Sequence, residues 1–280
     1  MPNLITSFNK ALVTLGMKMS LYSYFNLMGL LDVEGGVPRR VMTLFFVVDT
    51  SGSMSGERIA SLNIAVREVL PMISDLSVNN ADAQIKIAAL EFSSGTEWMY
   101  EKPIEAENFQ WRDLEAGGLT CMGEACLELA SKLSTKAFMA EAMGSYAPAI
   151  ILLSDGEATD DFERGLEKLK GNNWFKAAIK VAIAIGNDAE NQHALAAFTG
   201  NKEAVLTVHN KEELKKIIRF VSVTASQVAS TSVSVGKEAP KDKEDEVVTK
   251  IQEGLENDPT LAGVESGVDV ATGGSSFEDW

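Results

Sequence analysis

Apolar residues along this chain switch between two periods. Residues 41–48, VMTLFFVV, form an unbroken apolar run of strand length. Residues 57–76 then place Ile59, Leu62, Val66, Val69, Ile73 and Leu76 at steps of three and four, which paints one face of a helix. Strand character returns in AQIKIAALEFS (83–93), and TEWMYEK (96–102) follows closely enough to pair with it. Beyond that the pattern predicts a helix over 121–142, a buried strand over 147–154, a helix around 160–170, a strand over 177–186 and a short helix from about Ala189. A last strand over 204–209 and an amphipathic helix over 211–228 complete it. Strands that are apolar on both faces and alternate with helices imply a mostly parallel sheet covered on both sides. The turn between 83–93 and 96–102 is too short for a crossover, so that edge is antiparallel. The expected fold is α/β: a doubly wound, Rossmann-like, mostly parallel sheet of six strands with one antiparallel edge strand and helices on both faces.

Three segments follow from this pattern: an N-terminal extension (1–40), a main domain (41–229) and an acidic C-terminal tail (230–280). Residues 236–280 hold 12 Asp and Glu against 4 Lys, so the tail is expected to bury too little apolar surface to order itself. Its last residues, SSFEDW, set Phe277 and Trp280 among acids, which reads either as a short docking peptide for a partner or as an untidy terminus. The first 27 residues are apolar but interrupted by Asn9, Lys10 and Lys18, without the continuous apolar core and small-residue cleavage site of a signal peptide. No run reaches the roughly 18 apolar residues of a membrane span.

Charge narrows the partners. The formal net charge is −15, which argues against nucleic acid or an anionic membrane surface as the main partner. Cys121 and Cys126 are too few and too close for a disulfide framework, and His193 and His209 lie too far away for a zinc pattern. A reducing, cytoplasmic setting is expected.

Candidate chemistry gathers where ligands collect in parallel α/β sheets, at the carboxyl ends of the strands. Asp49-x-Ser51-x-Ser53 directly follows the first strand. The loop GGLTCMG (117–123) offers Thr120 before a helix, and LLSDGE (152–157) ends a buried strand at Asp155. Each feature alone reads as a helix cap or a turn. Together they supply two carboxylates and three hydroxyls, an all-oxygen set suited to a hard cation, Mg²⁺ or Mn²⁺ rather than zinc. A nucleophile elbow needs a glycine that DTSGSMSG lacks at its start, and neither a phosphate loop nor a dinucleotide fingerprint is present.

Asp49-Thr50-Ser51-Gly52-Ser53, Thr120 with Gly123, and Asp155-Gly156 resemble the metal-ion-dependent adhesion site (MIDAS) of a von Willebrand factor A (vWA) domain, over roughly residues 41–229. The resemblance implies that Asp49, Ser51, Ser53, Thr120 and Asp155 bind the cation, some through water. It also implies a central first strand and a non-enzymatic role, in which a protein partner presents an Asp or Glu to the metal. Loops at 54–57, 93–96, 117–120 and 156–161 are then expected to select that partner. FFVVDTSGSMSGERI is most similar to the bacterial TerY group of tellurium-resistance-type stress systems, which implies a protein kinase or PP2C-like phosphatase as partner. Two alternatives stay open: a vWA subunit of an ATPase-driven chelatase or remodelling complex, and a metal-assisted phosphohydrolase using Asp49 or Asp155.

Overall fold

The ten residues Arg40–Asp49 form β1, and all but the first are buried. This computed structural model describes residues 39–141, 144–156, 158–186, 189–230 and 240–267. The expected N-terminal extension up to residue 38, and Phe277 and Trp280, lie outside the described residues.

After β1 come α1 (Glu57–Asn79), β2 (Ala83–Phe92), β3 (Thr96–Trp98) and β4 (Ile104–Glu105). Next are α2 (Met122–Lys132), β5 (Ala149–Ser154), α3 (Phe162–Lys170), α4 (Asn173–Ala177), β6 (Ile179–Ile185) and α5 (Ala189–Thr199). The chain continues through β7 (Val205–Val208), α6 (Lys211–Ser230), α7 (Pro240–Asn257) and β8 (Glu265–Ser266). The sheet order is β3-β2-β1-β5-β6-β7-β8, with β4 also paired to β2. β1 runs parallel to both β2 and β5, so it is interior, as expected. The antiparallel pairing of 83–93 with its neighbour is also present, with Leu90, Glu91 and Phe92 opposite Trp98, Glu97 and Thr96.

Alternation along β1 divides the core. Met42, Leu44, Phe46 and Val48 point to a layer shared with α1 and α6, whereas Phe45 and Val47 point to a layer shared with α2, α3 and α5. A strand between two helical layers has no polar face, which is why VMTLFFVV is continuous rather than alternating.

Three expectations change. The sheet has eight described strands rather than six, because the short β4 and β8 add antiparallel pairs at opposite sides of the sheet. Two-residue strands carry no readable period. The helix expected over 121–142 stops at Lys132. Its buried stripe is Met122, Ala125, Cys126 and Leu129, continued by Leu133, and a straight continuation would turn Phe138 and Met139 away from that stripe. The chain unwinds instead and buries both, with the Phe138 ring centroid 4.7 Å from Trp98.

The third change concerns the acidic tail, which is ordered over 240–267. Within α7, Val247, Val248 and Ile251 are buried against α6, and Leu261 follows them. Averaged composition hides this stripe because charged and polar residues fill most other positions of the helix. One of those acids meets a buried cation: Lys180, near the start of β6, donates to Glu244 at 3.1 Å and to the Ala178 carbonyl at 2.9 Å.

Helices α2 and α3 cross at a glycine pair that sets the loops above the sheet. A Cβ on Gly165 would lie 2.2 Å from the Gly123 carbonyl oxygen, and one on Gly123 would lie 2.6 Å from the Asp161 carbonyl oxygen. Gly165→Ala should therefore destabilise the protein by about 1–3 kcal/mol through overpacking, although alanine is the better helix former. Denaturant unfolding reads the sign. The same measurement on Ile251→Ala should show a loss of about 2–5 kcal/mol, against no change for a tail that does not pack.

Candidate metal centre

The register between β1 and β5 builds the centre. Val48 pairs with Leu153, so the next residues along the two parallel strands, Asp49 and Ser154, stand side by side. β1 leads through α1 to β2 on one side, while its other neighbour, β5, arrives much later in the chain. The crevice above their carboxyl ends is the switch point of the sheet, where such folds bind ligands.

Asp49 is fully buried. One carboxylate oxygen accepts from the Ser51 amide at 2.8 Å, and the other accepts from the Ser154 hydroxyl at 2.6 Å. Burial pushes its carboxyl up to about 6; the bonds from Ser154 and Ser51 oppose the rise, and the Asp155 charge adds to it. From Asp155, Oδ1 accepts from the Ser53 hydroxyl at 2.7 Å, and the Ser53 and Ser51 hydroxyls lie 3.0 Å apart. The other oxygen of Asp155 accepts from Arg58, near the start of α1. Thr120 is buried, and its hydroxyl faces the same crevice: a side-chain carbon at Gly156 would lie 3.4 Å from Thr120 Oγ1 and 3.5 Å from Ser53 Oγ. The five residues singled out in the sequence are thus brought to one place.

Backbone bonds hold the three loops in register. The Thr50 amide donates to the Phe92 carbonyl at 2.8 Å, and the Thr50 carbonyl accepts from Gly117 at 2.8 Å. Gly52 donates to the Gly118 carbonyl at 3.1 Å. Gly118 has a φ of 88°, and a Cβ there would strike the Ser94 hydroxyl at 2.5 Å, so only glycine fits. Asp160 accepts from the amides of Gly123 and Glu124 at 2.9 and 2.8 Å, which caps α2 and fixes the base of the Thr120 loop.

Three site residues escaped the sequence reading. Ser154 is hidden inside an apolar strand ending, and nothing local marks it. Asp160 caps a helix that begins nearly forty positions earlier, a contact that no local pattern can show. Arg58 left only a weak signal: it lies in the first turn of a helix, where the dipole disfavours a cation, a small cost that a nearby anion offsets.

Among the described residues no three His, Cys, Asp or Glu side chains gather at one point. The donors here are two carboxylates and three hydroxyls, which suit a hard cation. The charge pattern fits as well: the bonded partners of Asp49 are a neutral amide and a neutral hydroxyl, and burial already disfavours its ionised form.

The von Willebrand factor type A domain family matches residues 43–220. The chain belongs to this family. No curated protein matches it. Among solved structures, the vWA chain is similar to the von Willebrand factor type A protein from Catenulispora acidiphila, at 18% identity over 68% of this chain and 43% of that one, with a TM-score of 0.48. It is similar to proximal thread matrix protein 1 from the mussel byssus, described with a zinc-occupied MIDAS motif, at 17% identity over 66% of this chain and 48% of that one, with a TM-score of 0.50. The vWF domain of the type V pili tip protein Mfa5 from Porphyromonas gingivalis is matched at 10% identity, over 72% of this chain and all of that one, also with a TM-score of 0.50. The vWA chain spans less than half the length of the first two. The two neighbours at a TM-score of 0.50 speak for the fold alone, an open, mostly parallel sheet with antiparallel edges and helices on both faces. No helix among the described residues is long and apolar enough to cross a membrane.

The buried Asp49 gives a prediction for the metal-free protein. Its folded pKa of about 6 lies above the unfolded 3.8, so its ionisation weakens the native state as pH rises through that window. In EDTA at pH 7.5, Asp49→Asn should be more stable than the parent by up to about 3 kcal/mol. The advantage should shrink as pH falls from about 6 to about 4, as read from paired thermal melts.

Proposed function

We propose that this vWA domain is a non-enzymatic, metal-dependent protein-interaction module whose centre is a MIDAS. In this reading Asp49, Ser51, Ser53, Thr120 and Asp155 hold Mg²⁺ or Mn²⁺, some through water. The bound ion supplies an electrophilic position that takes the Asp or Glu side chain of a partner protein. The observation that carries the reading is the meeting of Ser51, Ser53, Thr120 and both carboxylates at the β1–β5 switch point, around a Gly156 that leaves the crevice open. The protein's part is orientation. The Ser51 amide and Ser154 hydroxyl fix Asp49, Ser53 fixes Asp155, and the Gly118 turn fixes the Thr120 loop.

Binding rather than catalysis fits the donors. Hydroxyls, an amide and a guanidinium surround the two carboxylates, and among the described residues no histidine or third acid gathers with them to complete a catalytic set. The likeness of FFVVDTSGSMSGERI to the TerY group supports a finer reading: a cytoplasmic adaptor in a bacterial tellurium-resistance-type stress system, with a protein kinase or PP2C-like phosphatase as its acidic partner.

Two measurements test the module. A hundredfold excess of Mg²⁺ over its dissociation constant should stabilise the protein by about 2.7 kcal/mol in a thermal shift, and Asp49→Ala should abolish that gain. In a pull-down from the native host with Mg²⁺, the retained kinase or phosphatase should be released by EDTA and missing with Asp49→Ala. Retention unaffected by either treatment overturns the reading.

A further inference from the structure

Arg58 sits at an unfavourable place for a cation, close to the N-terminus of α1, where helix amides already present positive charge. It is nevertheless enclosed, with a side chain only 14% exposed. Its guanidinium donates to Asp155 and, at 3.5 Å, to the Ser53 carbonyl. Gly186, at the end of β6, completes the enclosure: a Cβ there would lie 3.6 Å from Arg58 Nη2. Three loops at the head of the sheet therefore surround a positive group that bonds a residue of the metal centre.

We propose that Arg58 is a resident counter-cation of the centre, which resists entry of the divalent ion and then strengthens capture of a carboxylate by the loaded site. The proposal rests on the metal reading above. Asp49, Asp155 and Arg58 together carry −1 when ionised. A divalent ion takes this set to +1, and an incoming carboxylate takes it to zero. Without the guanidinium the same states carry −2, zero and −1. Arg58 thus moves the neutral state from the ion-bound form to the form that also holds an acidic ligand. With Asp49 and Asp155 both buried, the neutral state is the favoured one. Arg58 acts as a positioning residue, through Asp155 and through its charge.

The test uses the full chain at pH 7.5 with Mn²⁺ alone as the first probe and acetate as the second. Calorimetry reads Mn²⁺ affinity, and the fall in water-proton relaxation on adding acetate reads carboxylate capture. Arg58→Gln should bind Mn²⁺ about tenfold more tightly, the effect of removing one unit charge from near a divalent ion in water's dielectric. It should bind acetate about threefold more weakly, because acetate carries half the charge. Arg58→Lys should bring both values back toward the parent, which a purely structural role would not do. Unchanged or weaker Mn²⁺ binding by a folded Arg58→Gln overturns the proposal, as does tighter Mn²⁺ binding with unchanged acetate capture. A parent protein that binds no Mn²⁺ overturns the metal reading itself, and this proposal with it.

Discussion

The parallel pairing of β1 with β5 is the constraint on which the rest depends. It sets Asp49 beside Ser154, so that Asp155 follows one residue further along, at the end of the neighbouring strand. Two acids far apart in sequence then share one crevice, and each is fixed by a serine hydroxyl. Shifting the register by one residue would exchange the faces of the strand and take the candidate ligand oxygens away from each other. Because β1 is buried in two helical layers, that register is held by packing on both sides.

Polar groups at this crevice are paired with one another. Asp49 is satisfied by an amide and a hydroxyl, and Asp155 by a hydroxyl and a guanidinium. The cost of burying the first acid appears as its raised pKa. An oriented, partly frustrated oxygen cluster is what a cation-binding centre requires before the cation arrives. The enclosed Arg58 makes this centre less negative than its two acids alone would be.

The C-terminal segment belongs to the folded body more than its composition suggests. Acid-rich helices are soluble, but Val247, Val248 and Ile251 at helical spacing dock this one, and Leu261 beyond its end adds to the same layer. The Lys180–Glu244 pair then places a negative charge against a buried positive one. β8 adds to β7, so the edge that β7 would otherwise present is covered over Leu206 and Thr207.

Sequence by itself determined the alternation of strands and helices, the burial of VMTLFFVV on both faces and the five candidate ligands. Burial on both faces, helical period and strand-to-helix turns are local patterns that a single chain displays. It misjudged the length of α2, whose later part leaves the helix so that Phe138 and Met139 can be buried, and it missed α7, whose apolar stripe is diluted by acids. Only the tertiary structure decided that Ser154 orients Asp49, that Asp160 caps α2, and that Arg58 answers Asp155. Each of these joins residues brought together by sheet register or helix crossing, and such pairs leave no periodic trace along the chain.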